Sequence, residues 1–98
     1  MTEIAPSPQF DLDRAWTLDP RVSLRPESFG ALAYHFGTRR LSFLKSRRLL
    51  NVVQQLGEQP TGADACRAAE VTEAEMPAYE TALARLAATG MICERKPQ

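Results

Sequence analysis

Hydrophobic residues recur at every second position in the first half of the chain, and this repeat is typical of β-strands. A first short strand begins at Val22, and we expect Pro26 to end it because proline interrupts a sheet. A second strand is predicted over Gly30–His35, with Leu32 and Tyr34 on one of its faces.

The third predicted strand is Arg40–Lys45, and Gly37, which tolerates positive φ, provides the turn before it. Within this strand we expect Leu41 and Phe43 to face the core and Ser42 to face solvent. Strands two and three form a hairpin, and strand one completes a small antiparallel sheet. The third strand is then an edge of that sheet.

Beyond the third strand the repeat becomes helical. Ser46 is a suitable N-cap residue for a helix that Gly57 and Pro60 would end. The hydrophobic residues of this segment are spaced as one continuous stripe: Leu49, Val52, Val53 and Leu56. The pattern predicts an amphipathic helix that packs on the sheet.

A second, shorter helix is predicted from about Gly62 to Ala69, with Thr61 near its start. Its buried face would be small, since only Ala65, Cys66 and Ala69 are available for it.

A third helix is predicted over about Glu73–Thr89, after a capping box that begins at Thr72. Its apolar stripe consists of Tyr79, Leu83, Leu86 and Ala87. Gly90 is a good residue to end it, and the following segment, Met91–Cys93, is expected to be a short extended tail over the core edge.

The first segment, Met1–Pro20, contains prolines and scattered acids and is predicted to be a flexible or loosely docked arm. We expect its single tryptophan, Trp16, to attach the arm to the domain, because a lone aromatic residue in an arm usually covers the edge of a core. Residues 21–98 then form one domain. Three strands followed by three helices predict an α+β fold, a winged helix-turn-helix-like arrangement with a three-stranded antiparallel sheet.

Charge and composition exclude several classes of protein. Lys+Arg and Asp+Glu number 12 each, whereas a protein that binds nucleic acid usually has an excess of positive charge. No apolar run approaches the roughly 18 residues that cross a membrane, and the N-terminal segment lacks the layout of a secretion signal. We therefore expect a cytosolic protein with no nucleic acid or membrane among its partners.

Residues suited to catalysis or metal binding are few. The only histidine, His35, has no nucleophile or second histidine at a recognisable motif spacing, so we expect it to be hydrogen-bonded or solvent-facing. Cys66 and Cys93 have no CxxC neighbour, and two reduced, half-buried thiols are the simplest interpretation. The sequence predicts no catalytic residue, no metal and no cofactor, and hence not an enzyme.

Five cations with no acid between them surround the third strand: Arg39, Arg40, Lys45, Arg47 and Arg48. An acidic stretch follows later in the chain, broken only by Arg67: Asp64, Glu70, Glu73, Glu75 and Glu80. Each group could be a solvated face, or the basic cluster could attract an acidic ligand.

Four stretches share the pattern of one family: WTLDPRV (16–22), RPESFGALAYHFG (25–37), RRLSFLK (39–45) and the spaced residues Tyr79, Leu83, Leu86, Gly90 and Met91. They resemble the peptide chaperones of mycofactocin biosynthesis. These are precursor-peptide recognition elements, related to the pyrroloquinoline-quinone peptide chaperone. The resemblance extends from about Phe10 to Arg95.

The resemblance implies a winged helix-turn-helix-like domain that binds the leader of a ribosomally synthesised precursor peptide. In that family the leader adds as a strand beside the third strand, with the third helix as the wall of the groove. The chaperone then presents the peptide to a radical S-adenosylmethionine maturase. The resemblance implies neither catalysis nor an iron–sulfur cluster in this protein.

An edge strand has unpaired backbone donors and acceptors that an extended peptide can satisfy, so the expected site is consistent with the predicted sheet. We assign backbone pairing to Arg40–Leu44 and an apolar wall to the third helix, where Leu83 and Leu86 could equally be core residues. The candidate peptide-binding residues are Arg39, Arg40, Leu41, Ser42, Phe43, Leu44, Lys45, Tyr79, Leu83 and Leu86.

Two other functions stay open. A winged-helix DNA-binding protein would need basic residues on its recognition helix, yet the third predicted helix has several acids against Arg85 alone. An interaction subunit of an unrelated complex would use the third strand to dock a protein, and it would bind no precursor peptide.

Overall fold

The structure, a computed structural model, describes residues 10–95. Strands β2, β3 and β4 form an antiparallel sheet in that order, and β1 pairs with β5 in a separate ladder. The predicted α+β arrangement of antiparallel strands followed by three helices is confirmed. The elements are, in chain order, β1 (Trp16–Leu18), β2 (Val22–Glu27), β3 (Gly30–His35), β4 (Leu41–Leu44), α1 (Arg47–Leu56), α2 (Gly62–Ala68), α3 (Met76–Ala88) and β5 (Ile92–Glu94).

Strand β2 continues through Pro26, so the expectation that this proline ends the strand is wrong. The N–H of Phe36 donates to the carbonyl of Arg21 at 2.8 Å, which fixes the phase of the β2–β3 ladder. Hydrogen-bonded and non-bonded pairs alternate in an antiparallel ladder, and Pro26 faces Ala31 at a non-bonded position. Its missing N–H therefore lies on the open side of an edge strand, where proline removes no ladder bond.

The faces of β4 are the reverse of the expected ones. Leu41 and Phe43, predicted to face the core, are 52 % and 56 % exposed. Ser42, predicted to face solvent, lies opposite buried Ala33 and shares the inner face with buried Leu44. Small alanines on the inner face of β3 let α1 pack closely against the sheet, and the larger side chains lie on the outer face.

The turn between β3 and β4 is held by His35, whose side chain is almost fully buried. Its Nδ1 accepts the N–H groups of Gly37 at 2.9 Å and Thr38 at 3.0 Å. Its Nε2 lies 3.8 Å from the carboxylate of Asp19. The hydrogen-bonded role expected for this histidine is confirmed. The residue with positive φ in the turn is Arg39, at 65°, and not Gly37 as expected.

Helix α1 begins as predicted, because Ser46 Oγ accepts the N–H of Leu49 at 3.0 Å. Each buried aliphatic side chain of the stripe contributes about 1.5–3 kcal/mol before the cost of ordering the chain. All four members of the predicted stripe are buried: Leu49, Val52, Val53 and Leu56. The stripe holds α1 on the inner face of the sheet and so fixes the position of β4.

Helix α2 is capped by the predicted residue, whereas α3 begins at Met76, three residues after its predicted start, with the predicted capping box in the turn before it. Thr61 Oγ1 accepts the N–H of Asp64 at 3.1 Å. Before α3, the N–H of Thr72 donates to Glu75 Oε1 at 3.0 Å, and the N–H of Glu75 donates to Thr72 Oγ1 at 3.3 Å. Helix α3 begins directly after this capping box, so Pro77 lies in its first turn, where the missing N–H costs nothing.

Strand β1 was not predicted, because its partner strand lies at the other end of the sequence. Trp16 is 2 % exposed, which confirms that the tryptophan attaches the N-terminal segment to the domain. It lies opposite Glu94, so the extended tail expected after α3 is the strand that pairs with β1. Of the predicted arm, residues 1–9 lie outside the described part of the chain.

Candidate functional site

The open edge of β4 presents the backbone groups of two residues. The N–H of His35 donates to the carbonyl of Arg40 at 2.9 Å, so this pair occupies a bonded position of the β3–β4 ladder. Bonded and non-bonded pairs alternate, and the register therefore turns the N–H and C=O of Ser42 towards β3. The same groups of Leu41 and Phe43 point away from the sheet. Within residues 10–95, no strand pairs with this edge.

A groove of about 340 Å³ separates the open edge from α3. One side is the edge itself, the floor is α1, and the other side is one face of α3. The lining residues are Leu41, Ser42, Phe43, Lys45, Leu49, Ala82, Arg85, Leu86 and Thr89. A slot between an unpaired strand and a helix has the shape that an extended peptide fills when it adds to a sheet.

A smaller hollow of about 190 Å³ extends the groove towards the start of α3. It shares Lys45, Leu49 and Ala82 with the first groove and adds Tyr79. Tyr79 is half-buried and lines the hollow at this end. Strand β4 and helix α3 thus run in opposite directions along the two sides of one slot.

Positive charge surrounds the groove. Lys45 and Arg85 are exposed and line it, and Arg39 and Arg40 are exposed just before β4. These four cations form no ion pair within residues 10–95. Arg48, in contrast, is bound at 2.7 Å to the carboxylate of the α3 capping box. Of the basic cluster predicted from the sequence, Arg48 therefore stabilises the fold, whereas Arg39, Arg40 and Lys45 could bind a ligand.

The capping carboxylate, Glu75, belongs to the fold and adds no free negative charge to the groove. The backbone N–H of Thr72, together with the guanidinium of Arg48, holds the pKa of this carboxyl below its ordinary value. The remaining acids of the predicted third helix, Glu73 and Glu80, are exposed to solvent and do not line the groove.

The structure divides the predicted site residues into two groups. Leu44 and Leu83 are 1 % and 0 % exposed and belong to the core, so a ligand could not touch their side chains without rearrangement. The others line the groove, its extension or its basic flank: Arg39, Arg40, Leu41, Ser42, Phe43, Lys45, Tyr79 and Leu86.

Sequence reasoning missed four residues of the groove: Leu49, Ala82, Arg85 and Thr89. Leu49 had been assigned only to the core stripe of the first helix. The other three are spaced by three or four residues along α3, on the same face as Leu86. This helical spacing is the signal that could have identified them.

The two cysteines lie outside the groove and its extension. Cys66 is buried and Cys93 is half-buried, both are free thiols, and burial raises the pKa of each above its ordinary value. Between residues 10 and 95, no cluster of three metal-ligating side chains exists. No helix in the same range is long and apolar enough to cross a membrane.

Comparison with known proteins identifies the family. A family model described as the Peptide chaperone MftB family matches residues 15–93. The chain is 51 % identical over 92 residues to the peptide chaperone MftB of Mycobacterium tuberculosis (strain ATCC 25618 / H37Rv). The aligned region covers 94 % of this chain and 84 % of the relative.

A second relative is the peptide chaperone MftB of Mycolicibacterium smegmatis (strain ATCC 700084 / mc(2)155). It is 42 % identical over 97 residues, 99 % of this chain and 95 % of the relative. No solved structure gives a significant match. The family model covers all three helices and all of the strands except the last residue of β5, and the relatives match over nearly the whole chain. The protein therefore belongs to the peptide chaperone MftB family, a non-catalytic family of mycofactocin biosynthesis.

Proposed function

We propose that this chaperone binds the leader of a ribosomally synthesised precursor peptide by adding it as a strand to the open edge of β4. The observation that supports this is the unpaired edge facing α3 across a groove that runs along the whole strand. In this proposal the domain acts in the manner of a winged helix-turn-helix. It presents the bound peptide to a radical S-adenosylmethionine maturase.

Backbone pairing alone gives limited affinity on so short an edge. The N–H and C=O groups of Leu41 and Phe43 offer four hydrogen bonds, worth about 0.5–1.5 kcal/mol each, or about 2–6 kcal/mol together. A Kd of 1 mM already corresponds to about 4.1 kcal/mol. Side chains of the leader must therefore contribute by filling the groove over Leu49, Ala82 and Leu86.

The charge of the groove favours an acidic leader. Lys45 and Arg85 line it from opposite sides, and Arg39 and Arg40 flank it. Because these cations are exposed, their attraction to a ligand is screened by salt. We expect the Kd for the precursor peptide to rise as sodium chloride is increased from 50 mM to 500 mM. A Kd that does not change with salt would contradict this assignment.

A DNA-binding role has weaker support. The exposed acid Glu73 lies in the turn before α3 and exposed Glu80 lies within the helix, and both have the wrong sign for binding phosphates. A labelled DNA duplex titrated with the protein at low micromolar concentration should show no salt-dependent shift.

The test is a titration of ¹⁵N-labelled protein with the precursor peptide, followed by amide exchange. In the free protein the outward N–H groups of Leu41 and Phe43 should exchange rapidly, whereas the inward N–H group of Ser42 is protected by β3. Bound peptide should slow exchange at the two outward amides and perturb the shifts of Tyr79 and Leu86.

The alternation of protected and unprotected amides distinguishes strand addition from other modes of binding. If the peptide binds but exchange at Leu41 and Phe43 is unchanged, the peptide does not pair with β4. If no shift occurs at any peptide concentration up to the millimolar range, leader binding itself is refuted. The exchange of buried amides in α1, such as that of Val52, provides an internal control that should not move.

A further inference from the structure

The outer face of the three-stranded sheet is apolar and uncovered. Among residues 10–95, all four large hydrophobic side chains that are strongly exposed belong to this face or to its two turns: Phe29, Phe36, Leu41 and Phe43, at 45 %, 62 %, 52 % and 56 %. The three phenylalanines make aromatic contacts: the Phe29 and Phe43 rings are 6.1 Å apart, and the Phe36 ring is 5.0 Å from the ring of Tyr34 on β3. A clustered patch of this kind on a small protein usually marks a binding surface.

This face continues directly into the proposed peptide edge. Leu41 and Phe43 present their backbone groups to the groove and their side chains to the outer face. Side chains of a strand alternate between the two faces of a sheet, so every second residue of an added leader would stand beside Leu41 and Phe43. The outer face of the loaded chaperone is therefore built partly from protein and partly from peptide.

Charge distinguishes the possible occupants of the face. Lys45 lines the hollow between Phe29 and Phe43, and Arg39 lies in the turn before β4. The acid on β2, Glu27, is bound to Arg25 at 2.9 Å and leaves this positive charge uncompensated. A second copy of the chain would bring the same positive charge against itself. A partner with an apolar centre and an acidic rim complements the face.

We propose that the outer face is the docking surface for the enzyme that processes the bound peptide, and that this enzyme recognises the joint surface of β4 and the leader. The inference rests on the proposed strand addition. It assigns a separate role to the side of the sheet away from α3. The enzyme then distinguishes the loaded chaperone from the empty one by what lies beside Phe43.

The experiment uses the full chain with Phe29→Ser and Phe36→Ser combined, since neither side chain lines the peptide groove. Both are exposed, so folding should be preserved, and the matched control is Gln54→Ser on the exposed side of α1. Affinity for the radical S-adenosylmethionine maturase is measured by sedimentation velocity and biolayer interferometry. Each protein is tested alone and with a leader peptide that lacks the C-terminal residues to be modified. Leader affinity is measured separately by calorimetry.

We expect the double variant to bind the leader within about twofold of wild type and to lose roughly tenfold or more in maturase affinity, as loss of aromatic anchors does at interfaces. Wild type should bind the maturase more tightly with the leader than without it.

Unchanged maturase affinity in the double variant would overturn the docking surface. Equal maturase affinity with and without leader, when calorimetry shows the leader bound, would overturn the joint surface alone. Absence of leader binding to wild type would refute the proposed function and, with it, the joint surface. The docking surface would still be tested by comparing the maturase affinities of wild type and the double variant without leader. Wild-type dimers that the double variant abolishes would assign the face to a second copy and overturn the proposal.

Discussion

Proline at position 43 removes the hydrogen-bond donor through which β4 would hold a leader peptide. The N–H of Phe43 points out of the sheet, and the side chain is more than half exposed, so the substitution breaks neither the β3–β4 ladder nor the core. Phe43→Ala is the matched control, because it removes the same ring and keeps the N–H. Any difference between the two variants reports the backbone donor.

One backbone hydrogen bond has a net value of about 0.5–1.5 kcal/mol. Phe43→Pro should therefore bind the precursor peptide about 2- to 12-fold more weakly than Phe43→Ala, by the conversion of 1.4 kcal/mol per tenfold. The ring itself should matter less to folding, since its edge-to-face contact with Phe29 is worth about 0.5–1.5 kcal/mol. Isothermal titration calorimetry gives the Kd values, and thermal unfolding shows whether each variant is folded.

Ser42→Pro tests the phase of the edge independently. The N–H of Ser42 points at β3, opposite Ala33, so proline here removes an internal ladder bond and should lower the melting temperature well below that of Phe43→Pro. Equal peptide affinities for folded Phe43→Pro and Phe43→Ala would refute strand addition at β4. Equal stabilities for Ser42→Pro and Phe43→Pro would refute the orientation of the strand.

Three further predictions concern stability and thiol chemistry. Gly30 has φ of 151°, and a Cβ there would collide with the carbonyl of Leu44, so Gly30→Ala should lower the free energy of unfolding by about 1–3 kcal/mol in urea denaturation; a change under a few tenths would contradict this. The hydrogen bonds from Arg21 hold the pKa of Asp19 below its ordinary value, so its stabilisation is complete above the ordinary carboxyl value of about 3.9 and is lost as pH falls through the lower folded pKa. Asp19→Asn should lower the free energy of unfolding at pH 7, and below about pH 4 its free energy of unfolding should fall less steeply with pH than that of wild type, as measured by denaturation curves at a series of pH values. If the free energy of unfolding falls equally steeply in both proteins, groups other than Asp19 cause the loss of stability in acid. Burial raises the pKa of the two cysteine thiols, so a disulfide reagent at pH 7 should modify Cys93 slowly and Cys66 only after unfolding, and rapid labelling of both would contradict their burial.

The helices were predictable because their signals are local. A capping residue and a stripe repeating every three or four positions determine where α1 begins and which side is buried, and Ser46 and Leu56 follow that rule. The open edge of the sheet was also predictable, since the order of three antiparallel strands leaves the last one unpaired.

The facing of β4 was not predictable from its own residues. Alternation shows that every second residue of a strand shares a face, but it does not show which of the two faces meets the core. In β4 both faces contain apolar side chains. Leu44 and Ser42 face the core because α1 packs against the small alanines of β3, such as Ala33, on that side of the sheet. This packing cannot be inferred from the residues of β4 alone. Strand β1 escaped prediction because Trp16 pairs with Glu94, at the other end of the sequence.

The β1–β5 ladder also brings Arg95, the last described residue, close to the first, because the ring of Phe10 packs on Trp16 at 4.7 Å and Trp16 pairs with Glu94. The N–H of Arg95 donates to the carbonyl of Ala15 at 2.8 Å, one step beyond the Trp16–Glu94 pair. A short linker could therefore join the two ends without disturbing the sheet, and new ends could be opened at the exposed loop around Glu58. In engineering terms the protein is a candidate for circular permutation.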